Sequence, residues 1–230
     1  MVMRYYPVFL DLRNVSCLVI GGGQVGERKV LSLLSCGAGV SLISRELTPY
    51  LRGEVEAGRI TWLAQFYETR YLDGMFLVIG ATDDAELNES IGREARERGL
   101  LCNIVDDPQK CNFILPSLLT RGDLTIAVST AGKSPAMAKK IRQDLEKSFP
   151  ESYGLYLELL GQIRTMVLKE KRPQKENQRI FEALIHSPLL AWLEAGTLDP
   201  IYDLLDSLFD PPPPRSQWAS IIDPLFSSGE

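Results

Sequence analysis

Residues 17–30 read Cys17-Leu18-Val19-Ile20-Gly21-Gly22-Gly23-Gln24-Val25-Gly26-Glu27-Arg28-Lys29-Val30. A short apolar run leads into Gly21-x-Gly23-x-x-Gly26, and a helical pattern follows at once. That order is what a dinucleotide-binding turn requires. Gly21 permits the tight strand-to-helix turn, Gly23 lets backbone approach a pyrophosphate, and Gly26 lets helix and strand pack closely. Free N–H groups at the helix start, around Gln24 and Val25, would hold the phosphates together with the helix dipole. In a chain with 18 glycines such spacing means little alone. The strand before it and the helix after it supply the meaning.

Outward from this turn, strands and helices alternate. Residues 15–20 form the first buried strand, and the helix over 27–36 carries Val30, Leu33 and Leu34 on one face, with Gly37 as C-cap. Strands are expected at 40–44, 60–66, 76–80 and 101–105. Thr48 with Pro49 opens one intervening helix and Gly99 closes another, over 85–98. The continuous apolar run Phe76-Leu77-Val78-Ile79 suits a strand covered on both faces. This alternation argues for an α/β, Rossmann-like parallel sheet. After Asp106-Asp107-Pro108 the pattern changes. Residues 113–119 and 124–129 read as a hairpin around Thr120-Arg121-Gly122-Asp123. A second glycine turn, Thr130-Ala131-Gly132-Lys133-Ser134-Pro135, then starts a helix over 136–149, with Ser134 as N-cap. From Pro150 the chain is helical. Pro211 to Pro214 give a short polyproline segment, and the tail beyond is expected to be loosely ordered, with Trp218, Ile221, Ile222 and Phe226 available to dock. The domain plan is 1–112, 113–149, 150–210 and a Pro-rich tail at 211–230.

Composition excludes several classes. The net charge of −5 argues against a nucleic-acid binder. No stretch approaches the roughly 20 apolar residues that cross a bilayer, and the start lacks the apolar core of a secretory signal. The four cysteines show no CxxC spacing, which fits free thiols in a reducing cytoplasm and no metal site. The single histidine, His186, reads as structural or surface.

Candidate chemistry gathers at the carboxyl ends of the strands, where ligands collect in such sheets. The second strand ends in Ser44-Arg45-Glu46. Glu46 could take the ribose hydroxyls of NAD, Arg45 could face a 2′-phosphate, or both could be solvated surface. Thr82 and Asp83 end the fourth strand, and Asn103 to Asp107 end the fifth. A carboxylate there could act as a general base if partly buried; Asp106-Asp107-Pro108 could equally be turn chemistry. Lys133, Lys139, Lys140 and Arg142, with Arg121 on the preceding turn, read either as an ordinary solvated face or as a site for a polyanionic small molecule.

Taken together, Tyr6-Pro7-Val8-Phe9-Leu10-Asp11-Leu12, Val19 to Lys29, Gly80-Ala81-Thr82-Asp83-Asp84 with Leu87-Asn88, Cys102-Asn103-Ile104-Val105-Asp106, Phe113 to Ser117, and Ala127 to Pro135 resemble precorrin-2 dehydrogenase, the siroheme-synthase amino-terminal module. The resemblance covers about residues 4 to 150. It implies NAD-dependent oxidation of precorrin-2 to sirohydrochlorin, with iron insertion in some members, and a homodimer held through 113–149. It implies Asp106 as the catalytic residue and Gly21, Gly23, Gln24, Val25, Gly26, Ser44, Glu46, Thr82, Asp83 and Asn103 as cofactor contacts. Thr130, Gly132, Lys133, Ser134 and Lys139 would meet the substrate. Thr130 stands where the family has a serine. The rival reading is a non-enzymatic NAD(H)-sensing module.

Overall fold

The computed structural model describes residues 5–227, which divide into two compact units between Leu115 and Pro116. In the first, five parallel strands run in the order β3-β2-β1-β4-β5. They are β1 (Ser16–Ile20), β2 (Gly39–Ile43), β3 (Ile60–Ala64), β4 (Leu77–Gly80) and β5 (Leu101–Ile104). Helices α1 (Gln24–Ser35), α2 (Pro49–Glu56) and α3 (Ala85–Glu97) fill three of the four crossovers, and the one from β3 to β4 carries only a 3-10 turn at Thr69–Leu72. Side chains alternate along each strand, so β1 sends Cys17 and Val19 to one face and Leu18 and Ile20 to the other. The first pair joins Val30, Leu33 and Leu51 under α1 and α2. The second joins Val78, Ile91 and Ala95 under α3. Covering both faces explains why β1 and β4 read as unbroken apolar runs. The strand order reverses between β1 and β4, and their carboxyl ends open the crevice in which this fold binds ligands.

Unit 2 begins with the antiparallel hairpin β6 (Ser117–Arg121) and β7 (Leu124–Val128), followed by α4 (Pro135–Ser148). The first strand lies further along than the 113–119 read from the sequence. Pro116 has no N–H to give a ladder, so pairing starts only at Ser117. At the hairpin turn Gly122 has φ +55°, and a Cβ there would lie 3.2 Å from the Cα of Gly154, so two glycines let the turn and the next helix meet.

Helices α5 (Ser152–Lys169), α6 (Gln174–His186), α7 (Leu189–Ala195), α8 (Asp199–Ser207) and α9 (Arg215–Ser227) complete the unit. Their core comprises Leu159, Ile163, Ile180, Leu184, Leu205, Trp218 and Ile222 among others. The loosely ordered tail expected beyond the prolines is therefore corrected as far as Ser227. It is a helix whose Trp218 is fully buried, its ring tilted against that of Phe209 at 5.3 Å, with its indole N–H donated to Asp206 Oδ1 at 2.8 Å. Ile222 is buried beside it, while Phe226 stays exposed; the last three residues of the expected tail lie outside the described residues. Trp218→Ala should destabilise this unit by about 3–5 kcal/mol, read as a lower denaturant midpoint by circular dichroism. A docked but dispensable tail would leave the midpoint unchanged.

Candidate functional site

The glycine turn between β1 and α1 is built from close approaches that no side chain would permit. Gly21 has φ +117°, and a Cβ on it would lie 2.2 Å from the carbonyl oxygen of Ala81 at the end of β4. A Cβ on Gly26 would meet the Gly21 carbonyl at 1.9 Å, and one on Gly22 would meet that of Glu46 at 2.3 Å. Gly22 is thus a requirement the three-glycine motif does not express. Gly23 differs: a Cβ there would meet nothing within 4 Å. The turn leaves that one face open, on the side where α1 starts with no side-chain cap on its first N–H groups. An open, uncapped helix start without Cβ atoms suits a pyrophosphate.

Ser44, expected to touch the cofactor, spends its hydroxyl inside the protein. It accepts from Gly22 N–H at 2.9 Å and donates to Glu46 O at 2.7 Å, tying the end of β2 to the turn. Thr48 N–H donates to Gly22 O at 3.1 Å, while the Thr48 hydroxyl caps α2 and bonds Glu27. Glu46 is exposed at the mouth of a cavity of about 260 Å³, lined also by Arg45, Leu47, Arg52, Glu56 and Trp62. Arg45 lies 5.0 Å over the Phe66 ring. The lining carries two guanidinium and two carboxylate groups, which balance in charge. At the end of β4, the Thr82 hydroxyl lies 3.1 Å from Asn88 Oδ1 and accepts from Asp84 N–H at 3.2 Å. Thr82 shapes the loop, and exposed Asp83 faces solvent.

Asn103 donates from Nδ2 to Phe113 O at 3.2 Å, so its amide nitrogen holds the following segment. Asp106 sits beyond β5 with φ +62°, a left-handed conformation that Asp tolerates better than most residues. It is exposed, so the partial burial expected of a general base is not present in the protein itself; the turn projects it past the strand end. Asp107 takes the turn role, with its carboxylate 3.0 Å from Lys110, which also pairs with Glu89 at 2.6 Å. The Lys110 contact holds the Asp107 carboxyl below its usual range. Sequence reading missed Lys29. This half-buried ammonium of α1 is drawn down in pKa by burial and by Arg28, while the charge of Asp106 pulls it back up. It lay in plain view inside the opening motif, with no spacing rule to mark it.

In the second unit, the turn at 130–134 is closed by its own hydroxyls. Thr130 Oγ1 accepts from Ser134 N–H at 3.1 Å and lies 3.0 Å from Ser134 O. Ser134 Oγ caps α4 through Met137 N–H at 3.2 Å. Threonine and serine serve that bond alike, which accounts for Thr130 structurally. Gly132 takes φ +80°. The cation cluster divides: Lys140 pairs with Asp144 at 2.7 Å, Arg142 pairs with Glu146, and Arg121 donates to Phe149 O at 2.9 Å while meeting Glu151 at 3.0 Å. Arg121 and Arg142 are structural rather than waiting for an anion. Lys133 and Lys139 are exposed, and no ion pair engages them among the described residues.

Two variants separate the glycine roles. Gly21→Ala should cost about 2–4 kcal/mol, since it adds backbone strain to overpacking, and should abolish dinucleotide binding with it. Gly23→Ala should keep its melting temperature within about 2 °C and still lose NAD+ affinity by titration calorimetry. A Gly23→Ala protein that binds normally would remove the open face from the cofactor site.

Comparison with known proteins agrees with this geometry. A family model for NAD(P)-binding domains matches residues 8–117, and one described as the sirohaem biosynthesis protein central domain matches 121–148. The siroheme synthase 1 of Pectobacterium atrosepticum is 39% identical over 197 residues, covering 86% of this chain and 41% of that protein. The siroheme synthase of Methylobacillus flagellatus is 41% identical over 179 residues, covering 78% and 38%. The chain thus spans about two fifths of the curated relatives it matches. Among solved structures, SirC, precorrin-2 dehydrogenase, shares the fold with a TM-score of 0.73 at 23% identity, covering 86% of this chain and all of that one. The two family models lie side by side along the chain, and over most of its length the chain is similar to siroheme synthases.

Proposed function

We propose that this protein is an NAD-dependent precorrin-2 dehydrogenase that yields sirohydrochlorin in siroheme biosynthesis. The observation that carries the reading is the meeting, at the carboxyl edge of one sheet, of an open glycine turn with an exposed carboxylate projected past the end of β5 by a left-handed residue. A bare dinucleotide sensor needs the first and gives no reason for the second. NAD fits the turn, since Gly23 leaves room for the pyrophosphate and the charge-balanced cavity beside Glu46 offers a 2′-phosphate no net attraction. Glu46 would take the ribose hydroxyls.

When bound, the cofactor supplies the hydride acceptor. The chain's own part is to hold the macrocycle edge against the cofactor and to remove the proton that accompanies oxidation. Asp106 is the proton acceptor in this reading, and the substrate that covers it supplies the burial it lacks alone. Lys29 holds a cation within the field of that carboxylate. Precorrin-2 carries many carboxylates, for which Lys133 and Lys139 present exposed ammonium groups. The free state of Cys17, Cys36, Cys102 and Cys111 fits a reducing cytoplasm. Among the described residues no helix is long and apolar enough to cross a membrane. We assign dimerisation to 113–149, with the helices α5 to α9 sharing one core beside it, and take the working species to be a homodimer.

Incubation with precorrin-2 and NAD+ should give sirohydrochlorin. Asp106→Asn should lower kcat by about 10²-fold or more, the usual scale for a general base, with NAD+ affinity unchanged. Full turnover by that variant, or none by the wild type with cofactor bound, would overturn the assignment. Lys133→Ala with Lys139→Ala should raise KM for precorrin-2 several-fold and leave KM for NAD+ alone.

A further inference from the structure

We infer that Cys111 is a positioning residue for Asp106, acting through the exposed edge of β5; this rests on the proposed role of Asp106. β5 is the last strand of the sheet. Residues 101 and 105 donate inward to Phe76 O and Gly80 O, so the backbone groups of 100, 102 and 104 point outward with no strand to meet them. Side chains from ten residues on replace the missing strand. Asn112 accepts from Cys102 N–H at 2.8 Å through Oδ1, donates from Nδ2 to Leu100 O at 2.7 Å, and gives its own N–H to Cys102 O at 3.1 Å.

Cys111 continues that row one step nearer the site. Its sulfur accepts from Ile104 N–H at 3.2 Å and from Asn103 Nδ2 at 3.5 Å. Its thiol proton lies within reach of Ile104 O at 3.3 Å and Asp107 O at 3.2 Å. One sulfur therefore binds the residue two before Asp106 and the residue just after it. Asp106 lies between these anchors with φ +62°, a left-handed conformation that aspartate adopts at modest cost and that a contact on each side holds in place. The Asp107–Lys110 ion pair closes the same loop, but it is partly exposed and correspondingly weak. Asn112 holds the strand, and Cys111 holds the loop that aims the carboxylate. The thiol's partial burial, which raises its pKa, keeps the S–H donor in place.

The test compares Cys111→Val, which keeps the volume and loses every hydrogen bond, with Cys111→Ser, which keeps a shorter donor and acceptor. In the precorrin-2 and NAD+ assay Cys111→Val should lower kcat about tenfold at a temperature where the variant is folded, with KM for NAD+ near wild type. Cys111→Ser should recover most of the rate. In an Asp106→Asn background, Cys111→Val should cost nothing further. A wild-type kcat for Cys111→Val, or no recovery with serine, overturns the inference while leaving Asp106 in its role if Asp106→Asn remains slow. If Asp106→Asn turns over at full rate, the reading of Asp106 fails instead, and a slow Cys111→Val would then show that the cysteine acts elsewhere.

Discussion

The contact on which the first unit depends is the approach of Gly21 to the end of β4. The two strands at the topological switch must end close together, and the chain leaving β1 must turn at once into α1. A Cβ on Gly21 would sit 2.2 Å from Ala81 O, so the crevice between β1 and β4 exists because that atom is absent. Gly22 answers the same demand on the other side, against Glu46 O and Ser44. The turn is wedged between two strand ends, bonded to Ser44 and Thr48, and left open only above Gly23. A phosphate site made this way is rigid before any ligand arrives, which reduces the ordering that binding must cost.

The opposite edge of the sheet faces a different constraint. An edge strand exposes backbone donors and acceptors that must be covered or will seek another chain. Here the cover is the segment after the Asp106 turn, folded back so that Asn112 and Cys111 occupy the outward groups of β5. Protecting the edge and fixing the turn are thus one device. The chain cannot close β5 without also defining the path through Asp106, and the left-handed φ at that residue is held by contacts that serve the sheet as well.

Much of this was legible in residues whose meaning is local. The glycine turn, Thr48 and Ser134 as caps, Pro49 and Pro135 at first helical positions, and the doubly covered β4 all follow from neighbours a few places away. What escaped the sequence was set by contacts between positions that carry no periodic signal. Cys111 and Asn112 bond a strand seven to twelve residues earlier, Arg121 is captured by Phe149 O and Glu151 about thirty residues later, and Trp218 finds Phe209 and Asp206 across a proline run that reads as a break. The β6 start moved because a single missing N–H outweighed an apolar pattern. The exposure of Asp106 was not legible, since side-chain alternation does not extend past the end of a strand.

One regularity joins the two units. At each turn that the sequence marked for ligands, the hydroxyl groups are consumed internally. Ser44 bonds Gly22 and Glu46, Thr82 bonds the Asp84 loop, and Thr130 and Ser134 close on each other and on α4. What remains outward is of another kind: backbone N–H groups at the start of α1, the Asp106 carboxylate, and the ammonium groups of Lys133 and Lys139. Short hydroxyl side chains reach only nearby backbone, so they suit turns. Charges act over longer distances and can meet a large, flexible polyanion without fixed hydrogen-bond geometry. The polar residues nearest the glycines therefore shape the turns, and the charged groups are what each unit leaves exposed.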